Sequence, residues 1–381
     1  MSSTLITNIG QLVTNDPDLG TLTNAALIYT DGKISWAGAK SSAPSADERI
    51  DADGGSVIPG FVDSHTHAIF AGDRLNDFLA RMNGTKYASG GIKTTVEATR
   101  AASDESLRNH LENVVTEFIQ HGITTFEIKS GYGLDVETES RLLRLAKEFT
   151  EETTFLGAHV IPSEFANDRR GYIDLVKGSM LEAAAPFAKW IDVFCDNGAF
   201  TRDEAKEILT AGVAKGLRGR LHGNQLGDTG GIELAVEMKL ASVDHCTYAT
   251  DSQLDLLAAS GTVATLLPGA EFSTRSPYPD ASRFFEKGVK VASATDFNPG
   301  SSYIASMPFV ISIAVRDMYF TPEQALRAAT LGGAQALGRS DIGHLGIGAR
   351  ADIVLLEAPS FEYLAYRPGS QLVKQVLVGN L

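Results

Sequence analysis

The chain predicts an α/β fold: a (β/α)8 barrel of the TIM type with a small β-sandwich unit built from both termini. Three observations carry this. From Val57 onward, eight short apolar runs alternate with stretches of helical periodicity, the pattern of repeated β/α units around a parallel sheet. The segments on either side have strand character without a long helix, and neither is large enough to bury a core alone. Histidines and acids collect where the predicted strands end, which is where a (β/α) barrel keeps its active site. The expected division is residues 1–56 plus 345–381 for a composite β unit and 57–344 for the barrel.

The first 56 residues read as short strands and turns. Their clearest feature is Asp31-Gly32 between two apolar runs, a pair that accepts the positive φ angles of a two-residue hairpin turn. The barrel strands are expected at 57–67, 123–129, 153–160, 190–196, 219–225, 240–246, 262–268 and 290–297. Helix starts are marked by capping boxes at Thr201-Arg-Asp-Glu204 and Thr250-Asp-Ser-Gln253, and by Thr321-Pro-Glu-Gln324 with proline at the first helical position. Gly122, Gly261 and Gly288 stand where helices should stop. Strand character returns at 351–357 and 372–378, which supplies the other half of the terminal β unit.

Composition excludes several partners. The balance of 33 basic against 47 acidic residues, a net charge of −14, and the lack of a Lys/Arg cluster argue against nucleic acid and anionic membrane surfaces. No apolar run is long enough to span a bilayer, and the N-terminus has no basic region followed by an apolar one. With Cys195 and Cys246 as the only cysteines there is no disulfide framework, which fits a reducing cytoplasm. Both cysteines lie in apolar strands and read as small core residues.

The chemistry begins at His65-Thr-His67, where the first expected barrel strand ends. Alternation along a strand points both imidazoles the same way, so they can share one metal ion. Five of the eight histidines fall at expected strand ends: His65, His67, His159, His222 and His245. Lys129 and Asp296 occupy the same register on two other strands. Several ionisable groups converging on one mouth are costly to desolvate without a shared purpose. Three imidazoles, His65, His67 and His222, with the carboxylate of Asp296, suit one divalent or trivalent ion, zinc or iron, with room left for water.

Pro59-Gly-Phe-Val-Asp-Ser-His-Thr-His67, a later strand histidine and Ala294-Thr-Asp296 together resemble the amidohydrolase superfamily of metal-dependent hydrolases. More specific segments lie at 65–74, 90–100, Glu127-Ile-Lys-Ser-Gly-Tyr-Gly-Leu134, Phe155-Leu-Gly-Ala-His159, Asp192-Val-Phe-Cys195 and Asp296-Phe-Asn-Pro-Gly-Ser301. They span the expected barrel. The branch they resemble implies hydrolytic opening of 4-imidazolone-5-propanoate to N-formimino-L-glutamate in histidine degradation, with metal-activated water attacking the cyclic amide carbon. Another cyclic amidohydrolase, a deaminase of the same superfamily, or a barrel that has lost catalysis would be the alternatives. The resemblance also implies a homodimer.

Carried over by matching motif, His65, His67, His222 and Asp296 are the metal ligands. Arg74, Tyr87, Tyr132, His159, Asn298, Gly300 and Ser301 match substrate-contacting positions. His245 matches the histidine of the sixth strand, and Asp296 with His245 is expected to handle protons. Arg74 can fork onto a propionate tail. Tyr87 and Tyr132 combine an apolar wall with a hydroxyl, while His159 and His245 are expected to meet the ring carbonyl as it gains charge. The sequence departs from the pattern at Gln225, three residues after His222, where many members have glutamate. Glutamine there contacts substrate without acting as a base. Lys129 lies on a different strand from the lysine that bridges two metals in some members, so a single ion is expected.

Overall fold

In the computed structural model, which describes residues 2–84 and 91–379, the two tails meet in one seven-stranded sheet. Its order is Val373–Leu377, Ile353–Leu356, Ser56–Pro59, Ser3–Val13, Thr21–Thr30 and Lys33–Ala39, with Glu48–Asp51 also pairing with Ser3–Val13. The hairpin turns at Asp31 and Gly32, whose φ angles of 48° and 74° match the expected turn. Ile6, Ile9, Leu12, Leu27, Val57, Leu345, Ile353 and Leu355 form a core of their own on this sheet. Both ends of the chain are needed to close that core, which is why neither tail reads as a domain alone.

The rest is a mixed α/β unit around a curled parallel sheet. Its strands run in the order Val291–Ser293, Val263–Leu266, Ser242–His245, Leu221–Gly223, Trp190–Cys195, Thr153–Ala158 and Ile128–Lys129, and Phe61–Asp63 pairs in parallel with Ile123–Phe126. All eight expected runs contain strand, each over a shorter span than anticipated. The three expected capping boxes are present, with the Thr201, Thr250 and Thr321 hydroxyls accepting from the N–H of Glu204, Gln253 and Gln324. Gly122, Gly261 and Gly288 adopt φ of 85°, 76° and 74° at the helix ends.

One expectation is corrected. Residues 57–67 do not form a single strand. Ser56–Pro59 pairs with Ser3–Val13 and with Ile353–Leu356 in the terminal sheet, and only Phe61–Asp63 turns to the α/β unit, where it pairs in parallel with Ile123–Phe126 as a two-stranded sheet. Gly60 makes the changeover, its N–H donating to Asp352 O at 2.8 Å. An apolar run buried throughout carries no alternation that would reveal a change of sheet.

The helix that starts at Pro322 continues through a π turn over Ala328–Gly332 into Gly333–Ala336. There two glycines press against backbone: a Cβ on Gly332 would collide with Val291 O, and one on Gly333 with Val62 O. These contacts set one helix against Val291, on the strand at one end of the curled sheet, and against Val62, on the strand that pairs with Ile123–Phe126. We therefore expect Gly333→Val to destabilise the protein by about 1–3 kcal/mol, the range for overpacking a filled interior, and to shift the strand that leads into His65. Thermal denaturation checks it, and an unchanged midpoint would contradict the packing described.

Candidate active site

The segment after Phe61–Asp63 is held on both flanks. Asp296 N–H donates to His65 O at 3.1 Å and His67 N–H to Phe297 O at 2.9 Å, while Lys129 N–H donates to Thr66 O at 3.0 Å. Thr66 N–H donates to Glu127 Oε2 at 3.0 Å. With its main chain pinned in this way, the segment turns His65 and His67 to the same side, as the spacing predicts.

Their rings meet His222. The ligating nitrogens of His65, His67 and His222 lie within 4.8 Å of one another, with His67 Nε2 3.2 Å from His222 Nε2. Asp296 Oδ1 stands 3.5 Å from the Nε2 atoms of both His65 and His67. Ligands about 2.0–2.1 Å from a tetrahedral zinc sit roughly 3.3 Å apart, so the three imidazoles can share one ion, with Asp296 close to two of them. His65 Nε2 is fully buried with no hydrogen-bond partner among the described residues. A buried acceptor aimed at other acceptors is costly unless a cation lies between them. These residues fit a metal ion.

The other sides of the rings are fixed by acids in the interior of the sheet. His65 Nδ1 lies 2.8 Å from Asp244 Oδ2, and His222 Nδ1 lies 2.9 Å from Asp192 Oδ2. Each carboxylate selects the tautomer that leaves Nε2 free to ligate. Burial pushes Asp296 well above the usual carboxylate range and holds His65, His67 and His245 well below the usual imidazole range.

Beside the cluster is a small recess partly open to solvent. His67, His222, His245 and Asp296 line it, together with Arg74, Tyr132, His159, Gln225, Asn298 and Ser301. Arg74 is largely buried and pairs through Nε with Asp77 Oδ2 at 2.7 Å. Gly300 does not line the space. A Cβ there would collide with the Arg74 guanidinium, and its carbonyl accepts from Arg81 Nη2 at 2.8 Å, so this glycine makes room for Arg74. Asn298 Oδ1 accepts from the N–H groups of Gly300 and Ser301, and Ser301 Oγ lies 3.3 Å from Asp296 Oδ2. The Gln225 N–H donates to Asp196 Oδ2 at 2.7 Å. Tyr87 lies outside the described residues.

The geometry refines the expectation for His159. Its Nδ1 donates to Gly131 O at 2.9 Å, and burial, reinforced by His222, pulls its pKa down to about 3. A neutral ring that donates from Nδ1 presents a lone pair at Nε2. It accepts an N–H and does not donate to a carbonyl.

With this site in place, comparison with known proteins decides the family. The profile of the amidohydrolase family matches residues 48–106 and 79–380. An imidazolonepropionase of Salinispora arenicola is 58% identical over 383 residues, spanning 99% of this chain and 98% of the relative. The chain belongs to the imidazolonepropionase family of amidohydrolases. An imidazolonepropionase of Mycolicibacterium smegmatis is 56% identical, spanning 99% of this chain and 96% of the relative. Among solved structures, a zinc-bound adenosine deaminase from Xanthomonas campestris has the same fold, with a TM-score of 0.73 at 19% identity over 99% of this chain and 91% of that one.

Sequence reading of this imidazolonepropionase-family chain overlooked the groups behind the cluster: Glu127, Asp192, Arg220 and Asp244, all fully or almost fully buried. It also overlooked Arg81 and the apolar lining from Ile92, Val160 and Phe194. A signal was present for the first four, since a charge inside an apolar strand demands a buried partner. The identity of that partner was not written in the strand.

The buried imidazoles set a pH dependence. A histidine whose folded pKa is depressed stays neutral as pH falls, while in the unfolded chain it takes up a proton below about 6.5. The unfolded state then binds more protons, so stability drops as pH falls through that value, by on the order of 1.4 kcal/mol per pH unit for each such ring. With His65, His67, His159 and His245 all shifted downward, these rings draw stability from the metal-free protein as pH falls from 7 to 5, while Asp63, Glu271 and Asp296, raised by burial, bind protons in the folded state over the same interval and oppose that loss. Replacing one ring removes its share, so the stability of His159→Gln relative to the wild type should rise as pH falls from 7 to 5 in denaturant melts; a difference that does not change with pH would contradict the burial described.

Proposed function

We propose that this chain hydrolyses 4-imidazolone-5-propanoate to N-formimino-L-glutamate, the ring-opening step of histidine degradation. The observation that carries the reading is 58% identity across 99% of the chain to a protein named imidazolonepropionase. The site supports it by placing a buried guanidinium, Arg74, on the same small space as the imidazole cluster, which matches a substrate with a carboxylate tail at one end and a cyclic amide at the other.

We read His65, His67, His222 and Asp296 as holding one zinc or iron ion per chain. When bound, such an ion supplies Lewis acidity and makes water a nucleophile near neutral pH. Asp296 accepts the proton of the attacking water and returns it to the ring nitrogen as the carbon–nitrogen bond of the cyclic amide breaks. His245 donates to the carbonyl oxygen as charge gathers there. His159 accepts a ring N–H through Nε2, and Tyr132 walls the ring. Arg74 forks onto the propionate, while Asn298 orders the turn through Gly300 and Ser301. Gln225 donates and accepts hydrogen bonds without moving a proton.

The same reading takes the curled sheet as a closed (β/α)8 barrel, which the bonds between the His65–His67 and Asp296–Phe297 segments support. It takes the terminal sheet as a separate sandwich-like unit made from residues 1–56 and 345–381, extended by the strand to Pro59. We further propose a homodimer in the cytoplasm. No helix among the described residues is long and apolar enough to cross a membrane, and both cysteines are buried and free.

The deciding assay follows the imidazolone chromophore. The protein should abolish its absorbance, a chelator should stop the reaction and added metal restore it, and turnover of hydantoin or cytosine analogues in its place would redirect the assignment. Asp296→Asn should lower kcat at least about 100-fold without unfolding the chain, in line with loss of general acid–base transfer; near-normal kcat in the metal-loaded variant would refute the role. Arg74→Ala should raise KM about 10- to 100-fold with a smaller change in kcat, as expected on losing charge-assisted hydrogen bonds to a bound carboxylate. An unchanged KM would place the tail elsewhere.

A further inference from the structure

The interior of the curled sheet contains a fully buried ammonium that the reaction does not use. Lys129 Nζ lies 2.9 Å from Glu127 Oε1 and 2.9 Å from Asp192 Oδ2, with all three side chains excluded from solvent. The same Asp192 oxygen lies 2.9 Å from His222 Nδ1, and Asp192 Oδ1 accepts the His222 main-chain N–H at 3.0 Å. Parallel pairing of Trp190–Cys195 with Leu221–Gly223 sets this approach, with Phe194 opposite His222. One carboxylate therefore joins a buried cation to a ring of the imidazole cluster.

A second chain of contacts runs beside it. Arg220 Nη2 lies 3.4 Å from Asp244 Oδ2, which lies 2.8 Å from His65 Nδ1. His67 differs, since its acid contact is with Asp296 at Nε2 and no buried acid among the described residues backs its Nδ1, whereas Asp192 stands 2.9 Å from His222 Nδ1 as an ion-pair contact. Support is thus distributed unequally among the three imidazoles, and the shortest cation contact backs His222.

We propose that Lys129 is a positioning residue for the metal centre, acting through Asp192 on His222. This rests on the metal reading given above. The ammonium restrains the Asp192 carboxylate in the orientation that receives His222 Nδ1–H, so Nε2 keeps its lone pair directed at the cluster. It also offsets part of the charge of Glu127 and Asp192, two acids that would otherwise offer themselves to a second cation. Removing the ammonium leaves Asp192 buried beside another carboxylate and free to turn from His222.

The test is zinc affinity, measured by competition with a chromogenic chelator on the full chain, with circular dichroism and the thermal midpoint reporting the fold. Lys129→Met should weaken zinc binding about 10- to 100-fold, the range for loss of an outer partner of a ligating histidine, and Asp192→Asn should do the same. Because one residue acts through the other, the double variant should bind zinc within about threefold of Asp192→Asn alone. Losses that multiply, or wild-type affinity in folded Lys129→Met, would overturn the proposal. If Lys129→Met does not fold, Lys129→Gln keeps a donor without the charge. Folded Lys129→Gln with wild-type affinity overturns the idea, and a loss hidden by Asp192→Asn upholds it. A wild-type chain that takes up neither zinc nor iron would overturn the metal reading together with this inference, whereas metal uptake indifferent to Lys129 would overturn the inference alone.

Discussion

Two aspartates buried in apolar strands, Asp192 and Asp244, are the constraint on which the site depends. Asp244 accepts from His65 Nδ1 and Asp192 stands 2.9 Å from His222 Nδ1, and each is itself paired with a buried cation. An ionised carboxylate inside a protein is tolerable only with such partners. The polar groups that support the metal-binding face therefore also bind strands together in the interior of the sheet. This coupling explains why charged residues occur in runs that otherwise read as apolar core.

The backbone at the mouth departs from relaxed strand geometry where those groups end. Asp296, His245 and Asn224 have φ of 52°, 80° and 69°, in the left-handed region that side chains other than glycine seldom occupy. Such conformations persist where surrounding bonds over-determine them. Around Asp296 those bonds are its N–H to His65 O, its carbonyl accepting from Asn298 Nδ2 at 2.6 Å, and its Oδ2 contact with Ser301. The terminal sheet adds a further restraint, because the chain passes from Ser56–Pro59 in that sheet to Phe61–Asp63, paired with Ile123–Phe126, with Gly60 alone between them. The two histidines that follow are thus anchored to both units.

Gln225 shows how local chemistry narrows a mechanism. Its main chain is tied to Asp196 and its side chain reaches the cavity, so the position is built to face a ligand even though an amide cannot take a proton at neutral pH. Among the described residues, Asp296 is the one carboxylate lining the cavity. His159 is constrained in a similar way. Its tautomer follows from a backbone carbonyl, and the side chain type alone could not have told donor from acceptor.

Much of this molecule was legible in the chain itself. The alternation of apolar runs and capped helices specifies β/α units, the Asp31-Gly32 turn specifies a hairpin, and His65-x-His67 specifies two imidazoles on one side, because each rests on interactions within a few residues of sequence. The break at Gly60, the partnership of His65 with Asp244 and of His222 with Asp192, and the lone pair that His159 presents were decided only by tertiary structure. They depend on which strands become neighbours and in what register, and for contacts such as His65 with Asp244, 179 positions apart, no local pattern encodes the distance.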